Sequence, residues 1–241
     1  MLAQLFAKFY NFKIVFDQSK INKYFSYCLY NYKIEFENKN NQLSKSCIYQ
    51  IFIYKLLKIK KYLKKNLKKR FINSSNALFV LLILFAIKLN KELYFCVNYW
   101  KLNILTKRNR YSILLIEKTL IRIINCKYLT KLDIIVVFNK LRIYSKNEDF
   151  TIFVIFIKVY KYYMLLFELT NDFASYQYYI NNVLFECLYN FYQVYFDNVL
   201  VYNKTRKKHT QHVHLVLQKL INARLQVNIR INSLKIQIII A

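Results

Sequence analysis

Two patterns of hydrophobic and polar positions run along this chain. Apolar residues recur every third or fourth position in segments typical of helices, whereas short apolar runs bounded by polar residues are typical of strands. The predicted helices cover residues 54–71, 113–124, 174–188 and 209–222. The predicted strands cover residues 78–87, 93–99, 127–133, 151–159 and a hairpin at 191–202. Because strands and helices interleave without an internal repeat, the expected class is α+β.

Two aspartates stand at the ends of predicted strands. Asp133 ends one strand, and Asp197 with Asn198 forms the polar pair at the bend of the predicted hairpin. An isolated Asp in an apolar stretch is most often a turn or cap residue. Two such carboxylates that the fold brings together would instead suit a polymerase, in which paired divalent ions hold the attacking and leaving oxygens.

The composition points to a biased gene and to a polyanionic partner. The 241 residues contain no Gly and no Pro, although these residues normally make up roughly 7% and 5% of a protein. A nucleotide bias is the simplest explanation, since no fold benefits from losing every residue that adopts positive φ easily. The net charge of +27 favours nucleic acid as the partner. The same bias also turns acidic codons into Lys or Asn codons, so charge alone does not establish that partner.

Several classes of protein fit the sequence poorly. The five cysteines form no Cys-x-x-Cys pair, which argues against a zinc ribbon and against a secreted disulfide scaffold. The amino terminus lacks the apolar core of a signal peptide, and the longest apolar run, residues 77–87, is too short for a bilayer span of about 20 residues. We therefore expect an intracellular protein. His209, His212 and His214 have no Cys or acid at ligand spacing, so a zinc site is not favoured.

One predicted helix, residues 54–71, is strongly basic on one side. Leu56, Ile59, Leu63 and Leu67 form its apolar face. Lysines cover the other side: Lys58, Lys60, Lys61, Lys64, Lys65, Lys68 and Lys69. Such a face is usually solvated, and contact with a nucleic-acid backbone is the more specific interpretation.

Several blocks of residues occur in a recognisable order. They are Tyr-Phe-Cys-Val-Asn-Tyr-Trp-Lys-Leu-Asn at 94–103, Lys-Arg-Asn-Arg-Tyr at 107–111, Tyr-Leu-Thr-Lys-Leu-Asp at 128–133, Phe-Glu-Leu-Thr-Asn at 167–171 with Ala-Ser-Tyr-Gln at 174–177, and Tyr-Phe-Asp-Asn at 195–198. In order and spacing, including the 64 positions from 133 to 197, they resemble a reverse transcriptase. The resemblance is greatest to the gypsy-type class of LTR retrotransposons.

This resemblance implies a right-hand polymerase fold with fingers and palm subdomains. The antiparallel palm sheet would pack on helices, and the thumb would be missing. Residues 1–50 would be an N-terminal connecting segment. Residues 51–241 would form the fingers and palm, ending before the primer grip, the thumb and the ribonuclease H domain.

The resemblance also implies a chemistry and a set of site residues. The activity would be nucleotidyl transfer that copies RNA or DNA into DNA, with a template-primer and deoxynucleoside triphosphates as partners. Asp133 and Asp197 would hold two Mg²⁺ ions. Phe138 would be the aromatic gate beside the ribose 2′ position. Further nucleotide-binding positions would be Lys88, Tyr94, Phe167 and Gln177.

Departures from the family pattern predict a catalytically dead copy that folds poorly. Asn198 stands where the family has a second turn Asp, and Tyr94 stands where it has a phosphate-binding Arg. Family Gly positions hold Arg70, Glu168 and Arg224. All these changes are reachable by C-to-T or G-to-A transitions, which resembles the repeat-induced point mutation that silences transposons in filamentous fungi.

Two other functions remain open from the sequence. A noncatalytic nucleic-acid binder would use the basic helix and the remaining palm groove. A basic, apolar membrane-associated protein would be unrelated to polymerases. Steeply salt-dependent RNA binding favours the former, and binding to lipid without binding to RNA favours the latter.

Overall fold

The structure of the chain, a computed structural model, falls into two compact units. The first unit comprises residues 1–21, 110–137 and 173–241, and the second unit comprises residues 22–109 and 138–172. Within these units the structure describes residues 10–17, 30–38, 53–76, 81–87, 93–111, 121–135, 140–155, 158–187, 190–195, 198–228 and 237–238.

Helices and antiparallel strands mix in the described residues, which confirms the predicted α+β class. The helices are α1 (Ile53–Lys68), α2 (Trp100–Leu105), α3 (Asp172–Val183) and α4 (Arg206–Asn222). Short 3-10 helices cover Tyr10–Phe16, Ser145–Thr151 and Phe185–Cys187. The strands are β1 (Ile72–Ser74), β2 (Ile83–Ile87), β3 (Leu93–Val97), β4 (Tyr128–Ile134), β5 (Phe153–Ile155), β6 (Lys158–Tyr162), β7 (Tyr192–Tyr195), β8 (Asn198–Asn203), β9 (Val227–Asn228) and β10 (Gln237–Ile238).

The first unit is built on a five-stranded antiparallel sheet. Its strand order is β10-β4-β8-β7, and β9 also pairs with β4. Leu132 and Ile134 alternate with less buried residues along β4, as expected for a strand with one face on a core. Helix α4 contacts β4 and β8 and buries an apolar stripe that includes Val213, Val216, Leu217 and Leu220.

The second unit combines a three-stranded sheet, in the order β1-β6-β5, with the β2–β3 hairpin. Its interior contains many hydroxyl groups and charges. The hydroxyls of Tyr62 on α1 and Tyr162 on β6 are 2.8 Å apart. The buried Glu148 lies 3.6 Å from Arg142 and 3.4 Å from Lys161. The free-energy cost of removing these groups from water is offset because each of them contacts a polar or charged partner.

Helices α1 and α4 end in the same way. The N–H of Arg70 donates to the carbonyl of Leu67, and the N–H of Phe71 donates to the carbonyl of Asn66. At the end of α4, the N–H groups of Arg224 and Leu225 donate to the carbonyls of Ile221 and Leu220. This pair of bonds defines a Schellman motif, whose C′ residue adopts a left-handed conformation.

The C′ residue of both motifs is an arginine. Arg70 has φ of 57° and Arg224 has φ of 54°. Glycine is the usual residue at C′ because a Cβ atom makes this conformation unfavourable by about 1–2 kcal/mol. Two of the three positions where the resemblance expects Gly therefore have backbone geometry suited to Gly. Glu168, the third, has no positive φ.

Three predictions about these elements need correction. The apolar face of α1 is shifted, because Leu67 is 40% exposed and Asn66 is buried instead. The helix predicted at 174–188 ends at Val183 and is followed by a 3-10 turn. Asn198 does not lie in the hairpin bend but opens β8, where it pairs with Tyr195.

Some predicted elements cannot be compared fully with the structure. Residues 78–80 of the predicted strand and 113–120 of the predicted helix lie outside the described residues. No helix within the described ranges has both the length and the apolar character that a bilayer crossing requires.

Candidate active site

Asp133 lies at the centre of a row of three paired residues in the first unit. Across β4 and β8 it is opposite Asn198, and across β4 and β9 it is opposite Asn228. Directly opposed residues of an antiparallel pair project side chains to the same face of the sheet. Leu132 and Ile134 are buried on the alternate positions. The row of one carboxylate and two carboxamides therefore lies on the face opposite the apolar core positions of β4.

The predicted partner carboxylate, Asp197, lies outside the described residues. The residue that follows it, Asn198, is the cross-strand partner of Asp133. Strands β4 and β8 are thus neighbours in one sheet, as the predicted palm arrangement requires. Asn228 was not singled out from the sequence. A signal was present, because Asn228 lies in the run of alternating apolar and polar residues at 225–230, a pattern typical of a strand.

The described donor groups around Asp133 include one carboxylate, and the second carboxylate that the resemblance implies, Asp197, lies outside the described residues. Mg²⁺ prefers oxygen ligands and usually needs carboxylates to balance its charge. The row supplies a single carboxylate, and the amides of Asn198 and Asn228 are neutral. Within the described ranges, no cluster of three or more His, Cys, Asp or Glu side chains comes together. We therefore derive no metal-dependent step from these residues.

Gln177 is buried on α3 and is engaged inside the first unit. Its Nε2 donates to Oδ1 of Asn181 at 3.0 Å and to the carbonyl of Val194 at 3.4 Å. Asn181 in turn donates to the hydroxyl of Tyr111 at 3.0 Å. These bonds link α3 to β7 and to the segment at Tyr111, so Gln177 helps to hold the sheet beside Asn198.

The remaining nucleotide-binding positions belong to the second unit. Phe167 is exposed in the loop before α3. Tyr94 lies on β3, opposite Ala86 on β2. Lys88 and Phe138 lie outside the described residues. The roles that the resemblance implies for these four residues stay predictions.

The three histidines of α4 contact three different partners. Nε2 of His209 is 2.7 Å from the hydroxyl of Thr130. The ring of His212 stacks on Phe191 with centroids 3.6 Å apart, and the ring of His214 is 5.1 Å from that of Phe12. Burial lowers the pKa of His209, and the neighbouring His212 lowers it further. These contacts join α4 to the sheet and to the N-terminal 3-10 helix.

Comparison with known proteins adds an independent line of observation. No protein-family model matches the chain. Polyproteins of the transposons Tf2-7 and Tf2-8 of Schizosaccharomyces pombe are each 32% identical to it over 164 residues, which is 68% of this chain and 12% of each polyprotein. These similarities support a retroelement polyprotein region. The chain spans only about an eighth of the length of the curated relatives that it matches.

Solved structures show the same fold. The foamy viral protease-reverse transcriptase in complex with an RNA/DNA hybrid superimposes with a TM-score of 0.78 at 15% identity, over 94% of this chain and 30% of that chain. The selenomethionine-labelled prototype foamy virus protease-reverse transcriptase gives a TM-score of 0.72 at 21% identity, with the same coverage. The chain therefore has a polymerase fingers-and-palm-like α+β fold.

Proposed function

We propose that this chain is the fingers and palm of a gypsy-type reverse transcriptase with an impaired catalytic centre. The sequence similarity to transposon polyproteins and the polymerase-like fold support this assignment. Its substrates would be a nucleic-acid template-primer and deoxynucleoside triphosphates. The RNA/DNA hybrid and the double-stranded DNA bound by the structural neighbours are consistent with such a template-primer.

The pairing of Asp133 with Asn198 carries the proposal. It puts the end of β4 beside the first residue of β8, where the family pattern has a carboxylate. Replacing that carboxylate by a neutral amide removes negative charge from a site that would have to balance two Mg²⁺ ions held by Asp133 and Asp197. Tyr94 adds a second defect, because a neutral phenol does not replace a bidentate Arg–phosphate contact.

Mutational decay of the gene would account for these changes. The arginines at φ of 57° and 54° support it, since left-handed C′ positions are occupied by large residues. A chain without any Gly lacks the residue that fits these positions most easily.

Primer extension tests the proposal. Template-dependent incorporation in Mg²⁺ is compared for the parent chain, Asn198→Asp and the double variant Asn198→Asp/Tyr94→Arg. The parent chain should incorporate nucleotide only at the background level, and the double variant should incorporate more. Adding Asp133→Asn to the double variant is the matched control, and it should return incorporation to background. If the parent chain incorporates more nucleotide than the single variant Asp133→Asn, its catalytic centre works, and the proposed impairment is refuted.

A second function is favoured by the surface of α1. Lys58, Lys60, Lys61, Lys64, Lys65 and Lys68 are exposed on this helix. Their charge suits a noncatalytic nucleic-acid binder, whose affinity would fall steeply with salt. Salt-dependent RNA binding without incorporation by any variant would favour this second function over the first.

A further inference from the structure

The first turn of α4 has a charge distribution that weakens the helix. Arg206, Lys207 and Lys208 occupy this turn, which contains no acidic residue, and Thr205, the N-cap residue, makes no capping hydrogen bond with its side chain. The N-terminus of a helix bears partial positive charge, so cations there are unfavourable. The N-terminal half of α4 therefore depends on its contacts with the sheet.

His209 makes the first of these contacts, and its hydrogen bonds require a neutral ring. The side chain is buried against β4 and β8, where Nε2 lies 2.7 Å from Oγ1 of Thr130 and Nδ1 lies 3.5 Å from Nδ2 of Asn203. An amide nitrogen only donates, so Nδ1 accepts, and Nε2 carries the proton that Thr130 accepts. A second proton on Nδ1 would face the donor of Asn203, and that bond would be lost.

His212, one turn later, covers the start of the β7–β8 hairpin. Its ring stacks on Phe191 with centroids 3.6 Å apart, and the carbonyl of Phe191 accepts from the N–H of Tyr202 on β8. The Nδ1 atom of His212 is buried and has no hydrogen-bond partner in the described part of the chain. A proton added to this atom would be a buried donor without an acceptor, which costs free energy.

Burial and neighbouring groups disfavour a charge on either ring. Burial lowers the pKa of His209, and the neighbouring His212 lowers it further. Burial also lowers the pKa of His212, and Lys208 is the second cause. Folding therefore favours the neutral form of each ring. The stability that these neutral rings provide is lost as pH falls below the ordinary imidazole pKa of about 6.5.

The other titratable groups near α4 do not supply a counter-charge to these rings. On β4, Lys131 and Asp133 alternate with Thr130 and so lie on the opposite face of the sheet. Glu186 pairs with Lys219, toward the other end of α4. Adjoining segments add Lys13, Asp17, Lys127 and Lys204, and the ring of Tyr128 lies 6.0 Å from that of His209. Among the described residues, neither His209 nor His212 forms an ion pair or a hydrogen bond with a carboxylate.

We propose that residues 206–213 of α4 are an acid-released clamp: proton uptake by His209 and His212 detaches them from β4 and from the β7–β8 hairpin while the rest of the first unit stays folded. The C-terminal half of α4 remains in place because Val216, Leu217 and Leu220 are buried. This regulation goes beyond the proposed function and holds whichever molecule the chain binds.

Amide hydrogen exchange along α4 tests the proposal. Exchange is measured on the whole chain at pH 7.5 and pH 5.5 and corrected for its intrinsic pH dependence. Protection of residues 209–213 should fall about tenfold or more at pH 5.5, whereas protection of residues 216–220 should be retained. Unchanged protection at 209–213, or an equal fall in both halves of the helix, would overturn the inference.

Variants assign the response to the two rings. In the double variant His209→Gln/His212→Phe, the glutamine amide can still donate to Thr130 and the phenylalanine can still stack on Phe191. Protection of residues 209–213 should therefore be the same at both pH values. His214→Phe is the matched control, because it removes a histidine of the same helix that contacts Phe12 instead, and the acid response should persist. A response of the double variant as large as that of the parent would overturn the assignment.

Asn203→Asp tests the neutral ring from the opposite direction. A carboxylate beside Nδ1 of His209 pairs with the protonated imidazole, so the loss of protection should move to lower pH or disappear. The variant keeps both histidines, so it tests the proposal even if the double variant does not fold. An acid response equal to that of the parent would show that His209 does not control the release.

Discussion

The interiors of the two units differ in chemistry. In the first unit, the sheet buries Val194, Val199 and Val201, and the buried polar side chains of its described residues are neutral amides and hydroxyls together with His209. In the second unit, Lys and Glu side chains lie in or beside the core, among them Lys140, Glu148 and Glu168. The apolar interior of the sheet follows from strand alternation alone, whereas the position of the ionisable groups in the second unit depends on which side chains meet after folding.

The difference gives the two units opposite responses to pH. The folded-state pKa of His209 is lowered, so its neutral form is favoured by folding and the first unit loses stability as pH falls through about 6.5. The folded-state pKa of Glu168 is raised from 4.5 to about 7, so its protonated form is favoured. The second unit therefore loses stability as pH rises from 4.5 toward 7.

The largest expected effect tests the apolar interior. Leu132→Ala should lower the free energy of unfolding of the first unit by about 2–5 kcal/mol, because it removes a buried side chain and leaves a cavity. Amide hydrogen exchange in β4 and β8 measures this loss. Leu200→Ala, on a half-buried position of β8, is the control. A loss no larger than that of Leu200→Ala would show that alternation does not define this core.

The next effect tests the ionisable interior. Glu168→Gln should stabilise the second unit at pH 8 by about 1–2 kcal/mol, because the parent carboxylate is ionised there and partly desolvated, while solvent screens the remainder. At pH 4 the variant and the parent should be equally stable, because the parent carboxyl is then protonated. Hydrogen exchange in β5 and β6 at the two pH values provides the measurement.

The control for this variant is another carboxylate of the same unit. Glu37 is exposed, so Glu37→Gln should change stability little at either pH. If Glu168→Gln stabilises equally at pH 4 and pH 8, ionisation is not the cause, and the contrast between the two interiors would have to be withdrawn.

Local patterns predicted much of the fold. The alternation in β4 and β8 and the helical spacing of α1 and α4 were readable because each depends on neighbours in sequence. The left-handed positions Arg70 and Arg224 were predictable only from the resemblance, as places where the family has Gly. Nothing in the types of these two residues indicates positive φ.

Tertiary context decided the rest. Asn66 is buried in place of Leu67, and its Nδ2 donates to the carbonyl of Tyr62 one turn earlier. Asn198 belongs to a strand because it pairs with both Asp133 and Tyr195. The raised pKa of Glu168 comes from its burial in the folded unit, where the N–H of Val97 reaches its carboxyl group. The spacing of apolar and polar residues along the sequence does not indicate these tertiary contacts.

The smallest effect tests a feature that the two units share, the strained helix ends. Arg70→Gly and Arg224→Gly should each raise the free energy of unfolding by about 0.5–1 kcal/mol, because relief of the left-handed strain exceeds the extra entropy of Gly in the unfolded chain. Arg70→Ala and Arg224→Ala remove the same charge but keep the Cβ atom, and should not stabilise. The two gains should add in the double glycine variant, since Arg70 and Arg224 belong to different compact units. Denaturant unfolding measures them, and equal behaviour of the Ala and Gly variants would mean that backbone strain at these helix ends does not limit stability.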